Sequence, residues 1–274
     1  MADGERSLSC EFRPLPLTLG FPVRSMEQFP QDYPAASPFP HVVFDDFLPE
    51  ERVRAIAGEV ANLTVPSEPR FYGTRLKGRL SDMDAMGPAT RELILELNAP
   101  PFVQWLEKLT GMNGLVADPG LQGGGVHQIG RGGFLKIHTD FNWHKGLRLH
   151  RRLNLILYLN EPWQEEWGGY LELWKRDMSA CVRRIAPLLN RIVIFSTTDE
   201  SYHGHPEALA CPEGVTRNSI ALYYYSKERP ASEVRFGASG ITNYRPRHSD
   251  YFGLKHKVHQ ALIRNPILRR ILDV

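Results

Sequence analysis

"HTDFNWH", residues 138–144, sets two histidines, one aspartate and two aromatics within seven positions, directly after the run Gly130-Arg131-Gly132-Gly133. Read as a strand, the stretch has a simple geometry. Residues i and i+2 point to the same face, so His138 and Asp140 project together while Thr139 faces away. The same residues would also suit an ordinary polar turn, so the rest of the chain has to decide whether this is a ligand site.

Composition narrows the choices. The 274 residues are 42% hydrophobic and 23% charged, as in a globular chain long enough for one large core or two smaller ones. No run approaches the roughly 20 apolar residues that span a bilayer. The N-terminal "MADGERSLSCEFRPLPL" lacks the basic region and long apolar stretch of a secretory signal. Three scattered cysteines, Cys10, Cys181 and Cys211, argue against a disulfide framework or zinc ribbon and for a reducing, cytoplasmic setting. The net charge of +2 is too small to imply a polyanionic partner. The positive excess lies at the end of the chain, where residues 226–274 hold ten Lys/Arg against four Asp/Glu. Such a segment reads as a solvated basic face, with nucleic acid or anionic lipid as the alternative partner.

Residues 1–40 read as an arm, with prolines at 14, 16, 22, 30, 34, 38 and 40. A strand follows at 41–44, then a helix from about Pro49 to Leu63 whose Val53, Ile56 and Val60 share one face with Leu48. Further helical patterns cover Pro88–Leu97 and Pro101–Leu109. From about residue 115, short apolar runs alternate with Gly, Asn, Pro and Asp, at 125–129, 133–138, 152–160, 169–174, 181–185, 191–196 and 217–225. Many short strands with turn signals predict a sandwich or barrel. The expected organisation is an arm (1–40), a catalytic domain (41–226) and a basic extension (227–274) ending in a helix over Lys255–Val274. Within that domain the helices support it over 48–110 and the β-core runs over about 115–226.

Two ligands on one strand, joined by a histidine from a distant strand, make the facial triad of a non-haem iron(II) oxygenase. "SYHGHP", residues 201–206, follows the apolar strand "RIVIFST" and offers His203, with His205 as the alternative. Next comes "TRNSIALYYYS", residues 216–226, in which Arg217 shares a face with Ser219, Ala221 and Tyr223. A guanidinium can hold a carboxylate through two parallel hydrogen bonds, so Arg217 is a candidate acid-binding group. In "RLNLILYLN", residues 152–160, Leu153, Leu155, Leu157 and Leu159 form an apolar face for the helices. Asn154, Ile156 and Tyr158 form a mixed face for the interior, where the Tyr158 hydroxyl could reach the same acid.

These pieces together, "GGGVHQIGRGGFLKIHTDFN", "RRLNLILYLNEPW", "GGYLELW", "RIVIFSTTDESYHGHP" and "RNSIALYYY", resemble the iron(II)/2-oxoglutarate-dependent dioxygenases of the prolyl 4-hydroxylase-like class. The resemblance implies a mainly β fold with flanking helices, whose core is a double-stranded β-helix, the cupin-like jelly roll. It implies iron(II) on His138, Asp140 and His203. Arg217 and Tyr158 then fall on the distal carboxylate of the co-substrate 2-oxoglutarate, and Gln128 falls near the co-substrate pocket. Ascorbate is a candidate auxiliary reductant. Asp140 stands where related halogenases carry a small residue, which disfavours halogenation.

The activity implied is a dioxygenase, an oxidoreductase acting as a hydroxylase: O2 and 2-oxoglutarate are consumed and an unactivated C–H bond is hydroxylated, on a prolyl residue of a peptide or protein. The alternatives are a free amino acid or natural-product small molecule as substrate, or a non-catalytic cupin-like binding protein. Candidate substrate contacts are Asn142, Trp143 and Trp174, with Phe141 at the mouth, and His144 and His150 facing substrate or solvent. No membrane span is expected.

Overall fold

The computed structural model describes residues 33–68, 73–234, 238–247 and 250. Along the chain run β1 (His41–Phe44), α1 (Glu50–Ala61), β2 (Thr74–Leu80), α2 (Pro88–Leu97), α3 (Pro100–Thr110) and β3 (Val116–Ala117). They are followed by β4 (Gly125–Thr139), β5 (Trp143–His144), β6 (Leu149–Tyr158), β7 (Leu171–Trp174) and β8 (Cys181–Ile185). The last are β9 (Ile192–Ser196), β10 (His203–His205), β11 (Arg217–Ser226) and β12 (Asn243–Tyr244). The first 32 residues of the expected arm and the expected helix over 255–274 lie outside the described residues. No helix among the described residues is long and apolar enough to cross a membrane.

The three helices form where the apolar spacing predicts them. α1 buries Val53, Ile56 and Val60. α3 begins with Pro100, whose fixed φ suits the first turn, and stops at Gly111, whose φ of 71° makes the left-handed cap. α2 starts after Gly87 with no cap of its own. Glu59 of α1 supplies one: its carboxylate accepts the Ala89 amide at 2.9 Å, the Thr90 amide at 2.8 Å and the Thr90 hydroxyl at 2.7 Å. Two backbone amides left over at the helix start are thereby satisfied from a neighbouring helix, along with the Thr90 hydroxyl.

The strands pair antiparallel in the order β1-β9-β6-β11-β4-β10-β7-β8, with β2 and β12 also on β4, β3 on β11 and β5 on β6. This is a jelly-roll core. The runs expected separately at 125–129 and 133–138 are one 15-residue strand. Its first half pairs with β11 and its second half with β10, so β4 serves both walls of the roll. Glycines make the passage between the halves possible. Gly132 has φ +77°, and a Cβ on Gly133 would lie 2.5 Å from Ile129 Cγ2. β2, β3, β5, β10 and β12 were not anticipated as strands.

The alternation of β6 and β11 separates two environments as expected. Leu153, Leu155, Leu157, Leu159, Ile220, Leu222 and Tyr224 join Val53, Ile56, Leu93 and Leu106 in the main apolar core beneath the helices. Asn154, Ile156, Arg217, Ser219, Ala221 and Tyr223 face the other way and line a cavity.

Candidate metal centre and co-substrate pocket

His138 is the last residue but one of β4, and His203 opens β10 directly opposite it. Asp140 follows one residue beyond the end of β4. One ligand atom from each of the three residues lies within 4.8 Å of the others. His138 Nε2 is 3.6 Å from Asp140 Oδ1, and His203 Nε2 is 3.4 Å from Asp140 Oδ2.

The histidine tautomers are set by the backbone. His138 Nδ1 donates to the Lys136 carbonyl at 2.8 Å, and His203 Nδ1 to the Ser201 carbonyl at 2.9 Å. A carbonyl only accepts, so each Nδ1 carries a proton and each Nε2 is turned toward the aspartate. Burial pushes the His203 pKa down to about 4, with His138 adding to the effect and Asp140 opposing it. The His203 ring is therefore neutral at physiological pH, the form that binds metal.

Asp140 is held just as firmly. Its Oδ2 accepts Asn154 Nδ2 at 2.7 Å and lies 3.3 Å from Arg151 Nη2. Burial alone would raise its pKa, but Arg151, His203 and His138 outweigh that and hold it well below the ordinary carboxylate value. Arg151 is 1% exposed. Its Nε donates to Asn154 Oδ1 at 2.8 Å, and its guanidinium lies over the rings of Phe141 and Tyr223, 4.5 and 3.4 Å from their centroids. Two imidazole nitrogens and one carboxylate oxygen on one side of a prospective ion suit ferrous iron with positions left open. The hydrogen bonds behind them are those that orient metal ligands.

Arg217 sits further along the same cavity, 5% exposed. Its Nε donates to the Gly169 carbonyl at 2.7 Å and its Nη2 to the Tyr158 hydroxyl at 3.1 Å. The cavity measures about 800 Å³, ample for a dicarboxylate and part of a second substrate. Its wall also includes the apolar side chains of Ile129, Leu135 and Leu171.

Several expected residues fall elsewhere. Gln128 turns its amide to the Val60 carbonyl at 2.7 Å, away from the cavity, because β4 faces His127 and Ile129 inward on either side of it. Asn142 binds Asp199 Oδ1 and the Ser239 amide, so it ties the segment after residue 238 to β5 rather than lining the cavity. Trp143 packs edge-on against His150, and Trp174 donates to Glu172; neither lines the cavity. His144 accepts the Leu147 amide and faces Asp118 at 3.4 Å, as a brace for its loop. Phe141 does line the cavity, as expected, together with Tyr223 and Tyr244.

Arg151 and Asn154 were missed as site residues. Strict alternation puts Arg151 on the leucine face of β6. The register against β11 shifts between Tyr224 and Tyr225, so that Tyr224 faces Leu153 and Tyr225 faces Arg151. The bulge leaves Arg152 over and swings Arg151 into the cavity. Asn154 was legible as a polar residue within a leucine-rich strand.

Residues 124–225 match the family described as the 2OG-Fe(II) oxygenase superfamily. A mouse protein described as prolyl 3-hydroxylase OGFOD1 is 33% identical over 79 residues, 27% of this chain, and the match spans only 14% of that protein's length. Among solved structures, a Trichoplax adhaerens prolyl hydroxylase in complex with a hypoxia inducible factor peptide fragment is similar with a TM-score of 0.54. It is 17% identical, with 74% of this chain and 90% of that chain covered. A prolyl 4-hydroxylase from Phytophthora capsici is similar with a TM-score of 0.51 and 21% identity, over 84% of this chain and 70% of that one. At these identities the two structures establish the jelly-roll fold.

Proposed function

We propose that this chain, a member of the 2OG-Fe(II) oxygenase superfamily through residues 124–225, is an iron(II)- and 2-oxoglutarate-dependent hydroxylase acting on a prolyl residue of a peptide or protein. The observation that carries the proposal is the convergence of His138, Asp140 and His203 in one cavity with Arg217. His138, Asp140 and His203 would hold ferrous iron, and Arg217 with Tyr158 would hold the distal carboxylate of 2-oxoglutarate. When bound, iron and 2-oxoglutarate supply O2 activation coupled to decarboxylation to succinate and carbon dioxide, with one oxygen atom delivered to a C–H bond.

The chain's own residues have simpler tasks. The Lys136 and Ser201 carbonyls fix both rings so that each Nε2 would face the ion. Asn154 and Arg151 fix the carboxylate on the third ligand. Ile129, Leu135 and Leu171 give the cavity wall an apolar part. Phe141, Tyr223 and Tyr244 offer aromatic faces against which a prolyl ring can pack. The prolyl reading is further supported by the mouse relative, itself described as a prolyl hydroxylase. The arm, catalytic domain and basic extension, and a cytoplasmic setting, belong to the same reading.

The test is succinate release by purified protein with ferrous iron, 2-oxoglutarate and O2, alongside mass spectrometry of offered proline-containing peptides for a gain of one oxygen. His138→Ala, Asp140→Ala and His203→Ala are each expected to abolish metal binding and succinate release while leaving the circular dichroism spectrum unchanged. Retained turnover in His203→Ala with loss in His205→Ala would overturn the ligand assignment. Turnover of 2-oxoglutarate with free amino acids and never with peptides would overturn the substrate class.

A further inference from the structure

His205 stands on the same strand as His203, two residues on, and lines the same cavity. It is 3% exposed. Six described histidines are buried, His41, His127, His138, His144, His203 and His205. Each of the first five has a hydrogen-bond partner on at least one ring nitrogen. His205 has none on either nitrogen. A histidine serving only the core would satisfy a ring nitrogen as the others do, because an unpaired buried polar atom costs about 1–3 kcal/mol.

The ring's surroundings say what it faces. An imidazole carries at least one N–H in either charge state, so the ring has a donor to offer. The cavity it lines is the one that holds Arg217, His138, Asp140 and His203. Gly204, immediately before it, lets β10 lie close on β4: a Cβ there would be 2.7 Å from the Leu135 carbonyl. The ring is thus set on a rigid strand rather than on a loop.

On the reading that this cavity takes 2-oxoglutarate, we propose that His205 is a third co-substrate contact, donating its N–H to the carboxylate held by Arg217 and Tyr158. It acts as a specificity determinant for a dicarboxylate over a monocarboxylate 2-oxo acid. The iron-chelating end of the co-substrate is left to the open metal positions.

The experiment is isothermal titration calorimetry on the full chain loaded with manganese(II). The ligands are 2-oxoglutarate and 2-oxopentanoate, which keeps the 2-oxo acid end and lacks the distal carboxylate. His205→Val is expected to weaken 2-oxoglutarate about tenfold, the size of one hydrogen bond to a charged group, and to leave 2-oxopentanoate unchanged. His205→Asn, which restores a donor, is expected to recover most of the loss. An unchanged dissociation constant for 2-oxoglutarate in His205→Val would overturn the assignment. So would an equal loss for both acids, or a loss of manganese itself, since either would make His205 a support for the metal end. Wild-type protein and Arg217→Ala in the same titration separate the two levels of the argument. Failure of wild type to bind 2-oxoglutarate would sink the functional reading. Weakening in Arg217→Ala but not in His205→Val would sink only the role of His205.

Discussion

Replacing Arg217 with alanine removes a guanidinium that is 5% exposed and already directed by two contacts, Gly169 O at 2.7 Å and Tyr158 Oη at 3.1 Å. With Nε engaged on the backbone, the remaining N–H groups are those available to a carboxylate. Hydrogen bonds to charged groups contribute about 1.5–3 kcal/mol each, so losing a two-point contact costs about 3 kcal/mol or more. At 1.4 kcal/mol per factor of ten, that is roughly a hundredfold rise in KM for 2-oxoglutarate. The turnover number at saturating co-substrate should fall much less, because the triad is untouched. Arg217→Lys keeps the charge but not the planar fork, and should lie between wild type and alanine.

The assay is succinate release against 2-oxoglutarate concentration for the three proteins, with thermal unfolding measured in parallel. Alanine also leaves the Gly169 carbonyl and the Tyr158 hydroxyl without a donor, so some loss of Tm is expected. An unchanged KM accompanied by a lowered Tm would refute the reasoning. It would show that Arg217 only braces the turn at Gly168 and Gly169.

Asn154→Ala removes the 2.7 Å hydrogen bond to Asp140 Oδ2 and the acceptor for Arg151 Nε. Metal affinity, read by competition with a chelator, should drop about 10–100-fold as the carboxylate loses its orientation; equal affinity would remove Asn154 from the site. Glu59→Ala uncaps α2 and should cost about 1–2 kcal/mol of stability at neutral pH by denaturant unfolding. Burial opposes the effect, but the Thr90 hydroxyl and the Ala89 and Thr90 amides hold the Glu59 carboxyl below its ordinary value. A depressed carboxyl stabilises above its unfolded pKa of about 4.3 and loses that contribution as pH falls toward the folded value. Wild type and variant should therefore converge in acid, and a gap that persists or widens below that pH would contradict the capping role.

Much of the site could be read from periodicity. The two-residue repeat places His138 with Asp140 and Arg217 with Ser219, Ala221 and Tyr223, because side chains on a strand alternate whatever their partners are. The same rule separates the leucine face of β6 from Asn154 and Ile156. Apolar spacing marks α1, α2 and α3 within a residue or two. Where the alternation is interrupted, the reading fails. Arg151 is on the cavity side only because of the bulge opposite Tyr224 and Tyr225. Gln128 points away because β4 faces its neighbours inward. β2, with "TRLKGRL", has too little alternation to stand out, and it is a strand because β4 offers it an edge.

The amino-acid sequence by itself determined which residues could be ligands and on which face of a strand each would lie, since both follow from local backbone geometry. The resemblance favoured His203 over His205, but only the tertiary structure supplies a physical reason for that preference. The two share a strand and a face, and what separates them is the partner across the sheet. His203 stands opposite His138, with its Nδ1 tied to Ser201 and its Nε2 beside Asp140. His205 stands opposite Leu135, with neither nitrogen engaged. Register across a sheet is set by long-range packing and by bulges, which no stretch of the chain encodes alone.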